Sequence, residues 1–417
     1  MKTYGLLGKQ LLHSLSPEIH RELGNFRYEL FQLEENEVDT FFKNREFSGL
    51  NVTTPYKERA LSYCDELSDD AKKIGCVDTI VVKEDGKLFG ANTEYDGFLY
   101  SVQKGGIEVA GKKVIVLGNG GSAQMVKTAV AALGADEIIT ASENGEVNFN
   151  NVYDLHPDAN VVINTTLTGM YPNNGERIIN LKRFSHLCGA IDLIYNPRRT
   201  RLICDAEDMD IPNIDGLFML VAQAYMTERR FGMIESDIDL MKRTYKTMSD
   251  RRKNIMFVGM PGSGKTTNAT VVAAKLARPC IDVDRIIEMK AGMSVAQIVR
   301  SYGEKYYREL ETEALRKITR NGGQVISTDS GVVLSLENQY YIRQNGYVVY
   351  LHRPLEELES NGVSLIRNRE ALERVLAERE PLYKFLADIT VEVTDNAETT
   401  VSEVIERMGF KETPKTY

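Results

Sequence analysis

No stretch of this sequence reaches the ~18 apolar residues that a membrane-spanning helix needs. Its first residues, Met1-Lys2-Thr3-Tyr4-Gly5-Leu6-Leu7-Gly8, lack the apolar core of a secretory leader and predict a strand running into a turn. A cytoplasmic location is therefore expected. Cysteine is sparse: Cys64, Cys76, Cys188, Cys204 and Cys280 contain no C-x-x-C pair. Their odd number and wide spacing argue against a disulfide framework or a zinc site and fit reduced thiols. A surplus of positive charge is missing too. With 60 acidic against 51 basic side chains, the net charge of −9 argues against nucleic acid or an anionic membrane as the main partner. An anionic ligand must then be held by local groups. Low-complexity tracts and repeats are absent, and the lack of tryptophan carries no functional information.

What is present is the balance of a globular chain, 42% hydrophobic and 27% charged residues. A length of 417 residues exceeds what one core organises, roughly 250, so two or three domains are expected. Short apolar runs at 114–117, 137–140, 161–164, 255–258, 325–327 and 348–351 read as buried strands. Each precedes a turn and a segment of helical periodicity, the signature of a parallel α/β sheet. A helix-rich stretch over 216–245 leads into Lys246-Thr247-Met248-Ser249-Asp250-Arg251-Arg252-Lys253, a polar, charged run with no periodic apolar face. The major domain boundary is expected there.

The strand at 255–258 runs into Gly259-Met260-Pro261-Gly262-Ser263-Gly264-Lys265-Thr266, a complete G-x-x-x-x-G-K-[ST] motif that opens a helix. Backbone amides of Gly259, Gly262, Ser263 and Gly264, with Thr266, Thr267 and the helix N-terminus, are expected to wrap the phosphates of ATP. Lys265 is expected on the β/γ-phosphates as a catalytic group, and Thr266 on Mg²⁺. Downstream, Asp282 and Asp284 stand two residues apart at a strand end and can point the same way. Arg308 sits inside an acidic and aromatic helix, Gly303-Glu304-Lys305-Tyr306-Tyr307-Arg308-Glu309-Leu310-Glu311, and Arg379-Glu380-Pro381-Leu382-Tyr383 closes a helical segment.

Together these motifs resemble shikimate kinase over residues 254–410. The resemblance implies that Asp282 helps position Mg²⁺, that Asp284 accepts the hydroxyl proton of shikimate, and that Arg308 and Arg379 grip its carboxylate. The family carries three glycines after the strand ending at Ser327-Thr328, where backbone amides approach the substrate. This chain has Asp329-Ser330-Gly331, so Gly331 alone keeps the family's residue for substrate binding. The lid arginine of the family is also replaced, by Val363-Ser364-Leu365-Ile366, with Arg367 close by.

In the first half, Gly118-Asn119-Gly120-Gly121-Ser122-Ala123 follows the strand at 114–117 and precedes an apolar-periodic helix, the context of a dinucleotide-binding turn. The order of further motifs resembles shikimate dehydrogenase over residues 1–245. They are His13-Ser14-Leu15-Ser16-Pro17, Asn51-Val52-Thr53-Thr54-Pro55-Tyr56-Lys57, Cys76-Val77-Asp78-Thr79, Asn92-Thr93-Glu94, Tyr195-Asn196-Pro197 and Asp215-Gly216-Leu217, with Gln223 beyond them. The resemblance implies that Ser14, Ser16 and Thr53 bind the acid group, with Gln223 on ring hydroxyls and Tyr195 nearby. Lys57 becomes the catalytic acid or base, and Gly118, Gly120, Gly121 and Ala123 cradle NAD or NADP. Asp78 stands where the family has a substrate-binding asparagine, Glu94 where it has a catalytic aspartate, and Asp215 where it has asparagine. After the second strand, Thr140-Ala141-Ser142-Glu143-Asn144 lacks the arginine that grips the 2′-phosphate of NADP. Glu143 falls about where an acidic residue bonds an unphosphorylated ribose.

The whole chain thus looks like a fused shikimate dehydrogenase–shikimate kinase. The expected architecture is a substrate domain over 1–100 plus 215–245, a Rossmann domain over 101–214 and a P-loop domain over 254–410. Three functions fit: a working bifunctional enzyme, the same two reactions on an altered cyclic acid such as an amino-substituted one, and a weakened protein that senses nucleotide and ring acid. A small cyclic acid and nucleotides are the expected partners, and a homodimer is left open.

Overall fold

The computed structural model describes residues 3–11, 14–24, 26–360, 369–394 and 396–410. The chain divides into two compact units, Met1–Met248 and Ser249–Tyr417. In the first unit one sheet contains β1 (Tyr4–Gly8), β2 (Tyr28–Gln32), β3 (Gly49–Val52), β4 (Glu66–Leu67), β5 (Thr79–Val82) and β6 (Leu88–Ala91). Its order is β2-β1-β3-β5-β6-β4. β2, β1 and β3 run parallel, whereas β5 is antiparallel to both β3 and β6. Both β1 and β3 are buried along their whole length, so the loops leaving them open directly beside the interior.

The second sheet of this unit is entirely parallel. It contains β7 (Lys113–Leu117), β8 (Glu137–Ala141), β9 (Val161–Asn164), β10 (Gly189–Asp192) and β11 (Asn213–Ile214), in the order β11-β10-β9-β7-β8. β7 and β9 bury Val114, Val116, Val161 and Ile163 against Val126 and Val130 of the Gly121–Ala132 helix. Helices Thr93–Gly105 and Gly216–Phe231 pack closely on one another. Gly97 permits it, because a Cβ there would lie 2.7 Å from the carbonyl oxygen of Met219. The start of the first helix and the middle of the second are thereby fixed in one place.

The helix after this pair runs Ile238–Arg252, so the segment 246–253, expected as a boundary without helical periodicity, is mostly helix. Met241, Thr244 and Met248 are buried at i, i+3 and i+7. An eight-residue window holding only the last of them hides the stripe, which begins upstream.

The second unit carries a parallel sheet of β12 (Asn254–Val258), β13 (Cys280–Asp282), β14 (Val325–Ser327), β15 (Gly346–His352) and β16 (Ile389–Glu392), ordered β13-β14-β12-β15-β16. β12 is central and buried throughout, and its C-terminal end feeds the glycine-rich turn and the Lys265–Lys275 helix. Residues 379–383 do not close their helix, which runs Arg369–Leu386 with Pro381 inside it. The lid substitutions at 363–366, and Arg367, lie outside the described residues. Among the described residues no helix is long and apolar enough to cross a membrane.

Candidate active sites

In the first unit, the loops leaving β1 and β3 and the helix pair enclose a cavity of about 660 Å³. Ser14, Ser16, Thr53, Glu94, Tyr195 and Gln223 all line it. Ser14 and Ser16 flank the start of the Ser16–Gly24 helix, and the Ser14 hydroxyl accepts a bond from the Ser16 amide at 3.2 Å. Lys57 hydrogen-bonds the Glu94 carboxylate, and both side chains are more than four-fifths buried. Burial pulls the Lys57 ammonium down, but the carboxylates of Glu94 and Asp78 outweigh it and hold the group above its ordinary value. Lys57 is therefore a cation with a proton to give.

Asp78 is fully buried and is not on the cavity wall. Its two oxygens accept the amides of Thr93 at 2.7 Å and Glu94 at 2.6 Å, and one also accepts the Thr79 hydroxyl at 2.8 Å. The expected substrate ligand is thus a clamp on the first turn of the helix that carries Glu94. Burial, with the nearby Glu94 charge, pushes Asp78 up to about 6, against the pull of Lys57. Asp215 is likewise satisfied by the protein. It caps the Gly216–Phe231 helix through the Leu217 amide at 2.9 Å and pairs with Arg198 at 2.7 Å.

The cavity also has a wall that sequence reading missed. His20, one turn beyond Ser16, lines it and bonds Glu228 at 3.0 Å, with side-chain exposures of 1% and 0%. The second Glu228 oxygen has no hydrogen-bond partner. Asn51, in β3, lines the cavity as well and accepts the Tyr28 hydroxyl at 2.6 Å. The spacing of Ser16 and His20 was the available signal for the histidine, whereas Glu228 lies 208 residues from it. Burial lifts Glu228 to about 8 and lowers His20 to about 3, so the pair is neutral near pH 7.

A carboxyl whose folded value is raised keeps a proton that the unfolded chain releases, so its stabilising contribution is lost as pH rises toward 8. The histidine contributes in the opposite sense, and only below its unfolded value of about 6.5. Between about pH 6.5 and 8, the wild type is expected to lose up to about 2 kcal/mol that Glu228→Gln does not lose. Thermal unfolding midpoints at the two pH values check this, and parallel changes in both proteins would contradict it.

The dinucleotide turn leaves β7 at Gly118 (φ 111°), where a Cβ would come within 2.7 Å of the Thr165 hydroxyl. Gly120 caps the Gly121–Ala132 helix, and a Cβ at Gly120 or Gly121 would meet no atom within 4 Å. That open space beside a helix N-terminus fits a pyrophosphate. Ala123 is buried beneath the turn, and Glu143 is exposed in the loop after the neighbouring strand β8.

In the second unit, Gly259–Gly264 backbone surrounds Lys265, whose Nζ donates to the carbonyls of Gly259 at 3.0 Å and Met260 at 2.9 Å. Burial lowers Lys265 to about 8, although Asp329, Asp284 and Asp282 pull it upward. Ser263 is buried, whereas Thr266 and Thr267 are exposed in the first turn of the helix. Thr266 donates to Asp282 at 2.9 Å. Asp282 ends β13 and caps the next helix, Val283–Ala291, while Asp284 lies in that helix's first turn. The two carboxylates are therefore not alternate strand positions. Asp284 accepts the Tyr307 hydroxyl at 2.6 Å, and burial, with the charges of Asp329 and Asp282, raises it to about 6. Among the described residues no group of three His, Cys, Asp or Glu is placed to hold a metal alone. Thr266 and Asp282 fit a Mg²⁺ that also takes nucleotide oxygens.

Asp329 does not face open solution as a free acid. It pairs with Arg308 at 2.7 Å and accepts the Gly331 amide at 2.8 Å. Burial pushes it up, but Arg308 and the Gly331 bond outweigh this and hold it below the usual carboxylate range. Arg379 donates to the Ser330 hydroxyl at 2.9 Å.

Residues 6–80 match the model of the shikimate dehydrogenase substrate-binding domain, and residues 261–409 match that of shikimate kinase. Shikimate dehydrogenase (NADP(+)) of Clostridium perfringens is 33% identical over 272 residues, covering 60% of this chain and all of the relative. The chain belongs to the shikimate dehydrogenase family, with a shikimate kinase domain joined to it. Solved structures agree for the first part. A chorismate mutase/shikimate 5-dehydrogenase fusion protein from Clostridium acetobutylicum aligns with a TM-score of 0.56 and 32% identity, covering 60% of this chain and 97% of that one. Shikimate 5-dehydrogenase from Thermus thermophilus, in complex with NADP(H) and shikimate, aligns with a TM-score of 0.53 and 26% identity over 59% of this chain and 99% of its own. This shikimate dehydrogenase–kinase fusion is therefore an enzyme of two reaction types, a nicotinamide-dependent dehydrogenase and a kinase.

Proposed function

We propose that the first unit interconverts 3-dehydroshikimate and shikimate, and that the second transfers the γ-phosphoryl group of ATP to a shikimate hydroxyl. The observation that carries this reading is the Lys57–Glu94 pair beside a cavity that also presents Ser14, Ser16 and Thr53. The two serines and Thr53 offer hydroxyls to a ring carboxylate, and Tyr195 and Gln223 orient the ring. A bound nicotinamide supplies the hydride. In reduction, the Lys57 ammonium donates its proton to the carbonyl oxygen, and in oxidation the amine takes it back. Glu94 holds the ammonium in place, and Asp78 holds Glu94 by gripping its amide. In the second unit, Asp284 accepts the proton of the attacking hydroxyl, a task for which a value near 6 suits it at neutral pH. Thr266 and Asp282 would hold Mg²⁺, which supplies charge neutralisation at the phosphates.

An amino-substituted ring gains no support from the acidic substitutions. Asp78, Asp215 and Asp329 are each engaged by donors of the protein itself.

Cofactor choice is where this chain departs from relatives named for NADP(+). Between Thr140 and Val147 there is no arginine or lysine, and Glu143 stands exposed in the loop after β8. A carboxylate accepts the ribose hydroxyls of NAD⁺ and repels a 2′-phosphate. Oxidation of shikimate, followed as reduced nicotinamide, is expected to favour NAD⁺ over NADP⁺ by kcat/KM. Glu143→Arg should shift the ratio toward NADP⁺ by ~10-fold or more. A wild type that prefers NADP⁺ would overturn the assignment of Glu143, and one that oxidises shikimate with neither would overturn the dehydrogenase reading.

A further inference from the structure

The second unit has two arginines that its reading as a kinase assigns to a ring carboxylate, and their surroundings differ. The Nη1 of Arg308 donates to Asp329 at 2.7 Å and to Glu311 at 3.1 Å, and its Nη2 to Glu304 at 3.3 Å. Three protein carboxylates thus surround one guanidinium. The group is also wedged against backbone: a Cβ added to Gly331 would lie 2.1 Å from Nη2. Asn338 donates to Glu311 at 3.1 Å, which anchors that acid from behind, whereas Asp329 comes from the turn that follows β14. Arg379 has a different environment. It donates to the Ser330 hydroxyl, it also bonds the Tyr383 hydroxyl, its Nε has no partner, and among the described residues the carboxylate oxygen that comes within 4 Å is that of Glu378, at 3.9 Å.

We infer that Asp329 is a specificity-determining residue of the acceptor site: it occupies the Arg308 fork as an internal carboxylate, so a ring acid is held by Arg379 alone and is scarcely preferred over its uncharged counterpart. This rests on the reading of the second unit as a kinase of shikimate-like rings. The physical basis is competition. A guanidinium already paired in a part-buried site gains little from another anion, because the incoming carboxylate must either displace Asp329 or approach it against like charge. Displacement would also strip the Gly331 amide of its acceptor. Ring hydroxyls carry no such penalty, so the site is built to read the polyol more than the acid.

The test compares shikimate with its methyl ester, in the presence of Mg²⁺ and a non-hydrolysable ATP analogue, by calorimetry on the full chain. The wild type should bind acid and ester within about threefold of each other. Asp329→Asn keeps the side chain's size and its acceptor oxygen but removes the charge. It should favour the acid by ~10-fold or more, the worth of a charge-assisted pair. Asp329→Gly, the family's residue, should do the same. Binding of the ATP analogue in the same titration shows that each variant is folded. A wild type that already prefers the acid tenfold, with the ratio unmoved in both variants, would overturn the inference and leave the kinase reading standing. If no variant binds either ring while all bind the nucleotide analogue, the reading of the acceptor itself fails, and the inference with it.

Discussion

Lys57→Ala is expected to lower hydride transfer with shikimate by ~10³-fold while leaving the affinity for ATP unchanged. Lys57 carries a transferable proton and bonds the Glu94 carboxylate, and Glu94 and Asp78 keep it charged. Removing it deletes the proton donor and leaves two buried carboxylates without their cation. Loss of rate should therefore appear in kcat, with a smaller change in KM, because Ser14, Ser16 and Thr53 remain to hold the acid. Lys57→Arg keeps a charge that Glu94 can pair with but cannot readily give up its proton, so it should restore stability without restoring rate. Steady-state kinetics beside thermal unfolding separate the two effects. Activity within tenfold of wild type in Lys57→Ala would mean that another group moves the proton.

The second large effect belongs to Lys265. Its ammonium is held by the Gly259 and Met260 carbonyls of the glycine-rich turn. Phosphate oxygens make better partners for it than two carbonyls do, so ATP binding exchanges bonds to neutral acceptors for bonds to anionic ones. Lys265→Ala is expected to weaken ATP binding by ~10-fold or more and phosphoryl transfer by ~10²-fold or more, with hydride transfer untouched. Because burial lowers this lysine to about 8, the ligand-free ammonium is fully present below that pH and is lost above it. Wild-type ATP affinity should accordingly fall as pH rises through about 8, and that dependence should flatten in Lys265→Ala. Calorimetry across this range is the check, and an unchanged slope would assign the titration elsewhere.

Much of this was legible in the sequence, for a physical reason. Motifs that work through contiguous backbone, such as the turn at 259–266 or the strand and turn at 114–121, carry their geometry in their own spacing. Buried parallel strands announce themselves as unbroken apolar runs for the same reason. What could not be read was pairing at a distance. The acidic residues Asp78, Asp215 and Asp329 looked like three related changes, yet they meet Thr93 and Glu94 amides, Arg198 and Arg308 respectively. Only the fold brings those donors near. His20 and Glu228 escaped notice for the same reason. The stripe of the Ile238–Arg252 helix was missed because its last turns are charged outside and buried on one narrow side.

In the proposed function, one chain reduces a ring ketone and then phosphorylates the alcohol it has made. The direct measurement supplies the purified chain with 3-dehydroshikimate, reduced nicotinamide cofactor and Mg²⁺–ATP, and follows the ring by mass spectrometry over time. The expected result is a product that has gained two hydrogens, followed more slowly by one that also carries a phosphoryl group. Lys57→Ala should block both products, whereas Lys265→Ala should block only the second. A ring that stays unreduced, or a reduced ring that never gains phosphate even at saturating concentration, would contradict it.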